Sequence, residues 1–134
     1  MDLIDDKYCF VCGTENETGL QLTFSSADGK TVSEFVLPRR FQGYKNVVHG
    51  GIASAILDEV MVHAAMSLGL NPVTAEMNVR FKSPLYVDMP LRAEAEVVNN
   101  GPRMIETSAR IIDRKSSKVL AEATGKLIPL KRYP

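Results

Sequence analysis

Asp58 and Glu59 stand in the middle of an apolar run, NVVHGGIASAILDEVMVHAAMSLG at residues 46–69. His63 follows Glu59 by four positions, and the triplet His49-Gly50-Gly51 opens the run. Two adjacent carboxylates on a helix point about 100° apart, so they need not share surroundings. Glu59 has His63 at i+4 as a local partner. Asp58 has Ser54 and Val62 at i±4 and no cation at i±3. A carboxylate buried without a partner costs several kcal/mol or shifts its pKa upward, which makes it a candidate for chemistry. At an exposed helix edge the same residue is an ordinary surface charge. Spacing alone leaves these two readings level.

Gly50 and Gly51 suggest the other half of a site. Glycine lets a ligand approach the backbone closely. The first N–H groups of a helix lack intrahelical partners and lie at the positive end of its dipole, where they can stabilise an oxyanion. Two glycines can equally be a tight entry into a helix. Asp58 lies seven positions after Gly51, a rise of roughly 10 Å along a helix. A base and an oxyanion donor must both reach one carbonyl at about 3–3.5 Å. One helix cannot easily bring its start and its middle to one carbonyl. Two antiparallel copies can, so an active site here is expected to be shared across a two-fold dimer.

The elements that must hold these residues can be read from periodicity. LQLTFSS, 20–26, and TVSEFVL, 31–37, are expected to form a hairpin about the turn SADG, 26–29, with Gly29 able to take a positive φ. Pro38 ends it, and residues 38–46 form a loop. A helix is expected over roughly residues 49–68, with Gly69 as its stop and Pro72 beyond. Four alternating stretches follow, 73–81, 91–98, 103–113 and 118–128. In the first, Val73, Ala75, Met77, Val79 and Phe81 share one face, and Thr74, Glu76, Asn78 and Arg80 the other. The helix is apolar nearly all round, so it is expected to be buried nearly all round. The expected fold class is α+β, a largely antiparallel six-stranded sheet wrapped around one long central helix.

The chain has 134 residues, zero formal net charge and 45% hydrophobic residues, which fits one domain. The balance of 16 basic and 16 acidic side chains carries no overall signal of a nucleic-acid binder. The N-terminus MDLIDDKYCF has neither the basic start nor the apolar core of a secretory signal. No stretch reads as a membrane span, and a soluble cytoplasmic protein is the expectation. Residues 1–18 read as an N-terminal extension with a CxxC, and 19–134 as a single domain.

At this point the residues resemble a known family. VVHGGIASAILDE, 47–59, with its acidic residue nine positions after the His, is followed by VTAEMNVRFKSPL, 73–85. Together these resemble the hotdog-fold acyl-CoA thioesterases, nearest the PaaI-like branch related to 4-hydroxybenzoyl-CoA thioesterases. CFVCGTENETGL, 9–20, is similar to the opening of many members of one subgroup. The resemblance spans about residues 9–128. It implies the hotdog fold and hydrolysis of a fatty or aryl acyl-CoA thioester. It implies Asp58 as general base or nucleophile, Gly51 as backbone oxyanion donor, His49 as a holder of the thioester end, and Thr74 as the residue that positions the attacking water. Some relatives place an Asn or Gln before HGG to bind the carbonyl; Gln42 and Asn46 are both near that place without falling certainly on it. The substrate-binding set is taken as Gly50, Asn46, Arg80, Lys82 and Ser83. Arg80 and Lys82 are chosen to meet the CoA phosphates, ahead of Arg39, Arg40 and Arg103. No cofactor is expected beyond the CoA of the substrate. The expected assembly is a homodimer, with a tetramer of two dimers as the family often forms, and neither nucleic acid nor membrane as partner.

Cys9-Phe10-Val11-Cys12-Gly13 has zinc-knuckle spacing. A structural zinc takes four ligands, and only His49 and His63 are candidate nitrogens, so no metal is assigned and packing of the extension on the domain is expected instead. Two other functions compete with the hydrolase. One is an acyl-CoA-binding hotdog protein without turnover, against which Asp58 and Thr74 argue. The other is a hotdog hydratase or dehydratase, for which His63 is not suitably placed.

Overall fold

The computed structural model describes residues 3–130. The first two residues of the expected extension and the last four of the expected domain lie outside the described residues. In chain order the elements are β1 (Ser25–Ala27), β2 (Lys30–Phe35), a single 3-10 turn at Arg39–Phe41, α1 (Gly50–Met66), β3 (Pro72–Phe81), β4 (Leu91–Asn100), β5 (Ile105–Asp113) and β6 (Val119–Pro129). The six strands form one sheet in the order β1-β2-β4-β5-β6-β3, with every neighbouring pair antiparallel. The expected hotdog architecture is the one observed.

The sheet can wrap the helix because its inner face is small. Ala93, Ala95, Ala109, Ala121, Ala123 and Gly125 are buried along β4, β5 and β6. Into that trough α1 presses Ile56, Leu57, Val60, Met61 and Ala64, all fully buried. A Cβ built on Gly125 would stand 3.0 Å from the Met61 sulfur. Asp28 and Gly29 both take positive φ, 53° and 79°, and turn the β1–β2 hairpin as its sequence requires. The Gly29 N–H donates to Ser67 Oγ at 2.8 Å, which fastens this turn to the end of the helix.

Two expectations are corrected. The strand read at 20–26 is reduced to Ser25–Ala27. Gln21 has a φ of 52°, which breaks an extended run, and the N–H groups of Leu20 and Leu22 donate instead to the carbonyls of Phe10 and Val11 at 2.8 and 2.9 Å. That pairing folds the N-terminal segment back, and Val11, Leu20 and Leu22 are buried in the main core. The helix, second, is not covered all round. Gly51 and Met66 are exposed, and Ala55, Asp58 and Val62 are half-buried. These five lie at helical spacing on one side, a stripe that the sheet and the N-terminal segment cover only in part. Among the described residues, no helix is long and apolar enough to cross a membrane.

Candidate active site

The start of α1 is built by a loop that is tied at several points. The Val48 N–H donates to the Leu85 carbonyl at 2.8 Å and the His49 N–H to the Phe41 carbonyl at 2.9 Å. His49 is the N-cap, and its Nδ1 accepts the Gly51 N–H at 2.8 Å. This engages the donor that the resemblance assigns to the substrate oxygen. The Gly50 N–H has no acceptor among the described residues. A groove of about 680 Å³ opens here, lined by Tyr44, His49, Gly50, Phe81, Lys82 and Ser83 among others. Its size suits a small-molecule ligand. A Cβ on Gly50 would lie 3.6 Å from the Phe81 ring, so a larger residue would narrow the groove at the helix start. Tyr44 and Phe81 are not among the expected site residues: in the sequence Phe81 reads only as the end of an apolar strand face, and Tyr44 as one of two aromatics in the 38–46 loop.

Asn46 is exposed, has a φ of 65°, and donates its N–H to Gln42 Oε1 at 3.1 Å. It shapes the loop behind the groove, and its side chain is not among the groove lining. Arg80 is separated from Lys82. It pairs in register with Glu122, which pairs with Arg110, which pairs with Glu94. These alternating charges form a row across the outer face of the sheet, away from α1. A concavity of about 910 Å³ on that face is lined by this row and does not include Asp58. Lys82 remains at the helix-start groove, with its Nζ 3.4 Å from Glu122.

Asp58 meets Thr74 through a structural irregularity. In β3, Thr74 pairs with Leu127 and Glu76 with Lys126, which leaves Ala75 as an extra residue in a β-bulge. Leu127 faces the core. After the bulge Met77, Val79 and Phe81 pair with Gly125, Ala123 and Ala121, also on the inner face. Strict alternation would put Thr74 with Glu76 and Arg80 on the outer face. The inserted residue turns it inward, and its Oγ1 donates to Asp58 Oδ1 at 2.6 Å. That is the length of a hydrogen bond to a carboxylate. Among the described residues no basic group forms an ion pair with Asp58, and Oδ2 has no hydrogen-bond donor.

Glu59 points elsewhere, as its offset on the helix requires. Its Oε1 lies 3.2 Å from His63 Nε2 and accepts the Cys9 thiol at 3.2 Å. Burial works to raise its pKa, but hydrogen bonds from His63, Cys12 and Cys9 outweigh that and hold it below the ordinary glutamate range. The two carboxylates therefore occupy different surroundings, one open and bonded to a single hydroxyl, the other enclosed by thiols and an imidazole.

A model of the Thioesterase superfamily matches residues 45–120. Acyl-coenzyme A thioesterase 13 of Homo sapiens is 23% identical over 100 residues, 73% of this chain and 71% of its own. A hypothetical thioesterase of Streptococcus pneumoniae, solved with coenzyme A, superposes with a TM-score of 0.79 at 19% identity, over 84% of this chain and 88% of that one. The PaaI protein from the phenylacetic acid degradation operon of E. coli gives 0.78 at 22% identity, over 84% and 81%. The Streptococcus protein has also been solved as two alanine variants, one of a threonine and one of an aspartate, at positions sixteen apart in its chain.

Proposed function

The chain belongs to the thioesterase superfamily, and from that premise we propose that it hydrolyses a fatty or aryl acyl-CoA thioester to the free acid and CoA. The observation that carries this reading is the 2.6 Å hydrogen bond from Thr74 to Asp58. Thr74 occupies Oδ1 and leaves Oδ2 for the reaction. Through that oxygen Asp58 takes a proton from water as the water attacks the carbonyl, or attacks the carbonyl itself. With its proton committed to Asp58, the Thr74 hydroxyl presents lone pairs that orient an attacking water. The thioester carbon gains an oxygen, and the C–S bond breaks to release the CoA thiolate, a good leaving group that needs no metal. The Asp58–Thr74 separation of sixteen residues equals that of the two residues replaced in the Streptococcus thioesterase, which supports assigning both to one site.

The developing oxyanion is received at the start of α1, where the Gly50 N–H is free and the Gly51 N–H is shared with His49 Nδ1. His49 thereby sets the direction of the helix entry, and Lys82 and Ser83 flank the groove in which the CoA end lies. Gly51 and Asp58 fall on the same partly covered stripe of α1, roughly 10 Å apart along the axis. An antiparallel second copy laid on that stripe brings its Gly51 opposite this Asp58, and covers Val62 and Met66 as well. The working unit in this reading is a two-fold dimer with two equivalent sites.

The test is a panel of alkyl and aryl acyl-CoA thioesters with free-thiol release as the readout, run on the wild type and on Asp58→Asn. Thiol release that depends on Asp58 is expected. Acyl-CoA binding without thiol release from any member of the panel would replace the hydrolase with a binding protein.

A further inference from the structure

The N-terminal segment brings two cysteines to the carboxylate that hydrolysis does not use. Cys9 Sγ, Cys12 Sγ and a Glu59 carboxylate oxygen all lie within 4.8 Å of one another, and all three residues are part-buried. His63, one helical turn on, holds its Nε2 3.2 Å from Glu59 Oε1. In sequence the glutamate is some fifty residues from the thiols, and only the fold adds it to the CxxC. We propose that Cys9, Cys12 and Glu59 bind a thiophilic divalent cation of the zinc class, with His63 supplying the fourth ligand once its ring leaves its stack on Phe24 and turns toward the thiols.

The donors suit such an ion. Zinc takes thiolate at about 2.3 Å and carboxylate or imidazole at about 2.0–2.2 Å in a tetrahedron. Sulfur–sulfur and sulfur–oxygen separations on that tetrahedron are about 3.5–3.8 Å, so no pair within the 4.8 Å cluster needs to close by more than about 1.3 Å, and Cys9 Sγ needs to open slightly from its 3.2 Å contact with Glu59 Oε1. The two-thiolate, carboxylate and imidazole set excludes calcium and magnesium, which take oxygen ligands.

The cysteine turn is already formed. The Gly13 N–H donates to the Cys9 carbonyl at 2.9 Å, and the Val11 N–H points at Cys9 Sγ at 3.4 Å. An N–H so placed would hydrogen-bond a metal-bound sulfur. A Cβ on Gly13 would sit 2.4–2.7 Å from the Cys9 backbone and the Lys7 carbonyl, so the turn closes this tightly only with glycine. Burial and the nearby Glu59 push the Cys12 thiol far up. Without a cation Cys12 is thus a neutral thiol beside the Glu59 carboxylate. It is not the low-pKa thiolate of a redox or nucleophilic CxxC. A bound cation reverses that balance: each thiol gives one proton to solvent, and Glu59 enters already ionised. The site would clip the N-terminal segment to α1 at the residue next to Asp58.

The test uses the full chain, purified under reducing conditions and stripped with a chelator. Zinc, titrated against a chromophoric competitor, should bind one ion per chain with release of protons and a rise in Tm. Cobalt(II) in its place should show a thiolate charge-transfer band and the intense d–d bands of a four-coordinate site. Cys9→Ser, Cys12→Ser and Glu59→Gln should each weaken zinc binding at least tenfold, with the metal-free fold checked by circular dichroism. Should a serine variant fail to fold, Glu59→Gln carries the test through its altered cobalt spectrum. Failure of the reduced wild type to bind one zinc, zinc binding unchanged by these substitutions, or cobalt binding without a thiolate band would each overturn the proposal. None of these readouts depends on thioester hydrolysis.

Discussion

Thr74 and Asp58, sixteen residues apart, are joined by a 2.6 Å hydrogen bond that exists because Ala75 is an extra residue in β3. A strand of strict alternation would have sent the threonine to the opposite face of the sheet from the aspartate.

Asp58→Ala should lower kcat/KM to less than a tenth of wild type, a loss of more than about 1.4 kcal/mol in transition-state stabilisation. Thr74→Ala should cost less, about ten- to a hundredfold, because it orients a water without activating it. Steady-state kinetics on folded, correctly assembled variants decide this. An Asp58→Ala enzyme with more than a tenth of the wild-type value removes that residue from the chemistry.

Deleting Ala75 should remove the bulge and place Thr74 next to Glu76 in strict alternation, so Thr74 stays on the inner face opposite Leu127 while Met77, Val79 and Phe81 keep their register with β6. Activity should fall less than in Thr74→Ala. Adding Thr74→Ala to the deletion should cost about as much as it does in the wild type, since the hydroxyl is still on the Asp58 side of the sheet. A deletion as damaging as Thr74→Ala, to which Thr74→Ala adds little, would show that the extra residue itself is needed to bring the hydroxyl to Asp58.

Glu59→Gln should be far milder in kcat than Asp58→Asn. Glu59 is enclosed by His63 and the two cysteines, whereas Asp58 Oδ2 is free. The reverse order of effects would mean that the wrong one of the two carboxylates has been placed in the reaction.

Subunit complementation tests the shared site. A Cβ on Gly51 would meet His49 Nδ1 at 3.1 Å, so Gly51→Val should displace the cap and disable the helix start. Mixed with Asp58→Ala chains under mild denaturation and returned to buffer, it should restore about a quarter of wild-type activity. Half of randomly paired dimers are mixed, and each holds one intact site of two. No return of activity, with exchange verified by native mass spectrometry, points to sites within single chains.

Gly125→Ala should destabilise the fold by about 1–3 kcal/mol through overpacking. Its methyl group would stand 2.9 Å from Thr107 Oγ1 and 3.0 Å from the end of Met61. Met61 is fully buried, and Thr107 is held by its bond to the Gly125 carbonyl. Chemical denaturation of the variant and of a Gly125→Ala/Met61→Ala pair separates the two contacts, and recovery in the pair is expected if the methionine is the obstacle.

The sequence by itself determined what depends on local pattern. Alternation and turn chemistry specify the strands from residue 73 onward, the Asp28-Gly29 hairpin and the helix with its stop near Gly69, because each is set by residues within a few positions of one another. The offset between Asp58 and Glu59 follows from helix geometry alone. The rest depended on contacts that no local spacing encodes. One extra residue at Ala75 leaves the composition of β3 unchanged and reverses the face of Thr74. Cross-strand register places Arg80 in a row of alternating charges on the outer face, whereas Lys82, which pairs with Glu122 of that row, also lines the groove. His49 became a cap on Gly51 because the loop before it is tied to Phe41 and Leu85. Glu59 met Cys9 and Cys12 because the N-terminal segment folds back over one of the flanks of α1 that the sheet leaves free. Each is a meeting of residues distant in the chain, decided by which surfaces the small-residue trough of the sheet leaves open once the helix is seated.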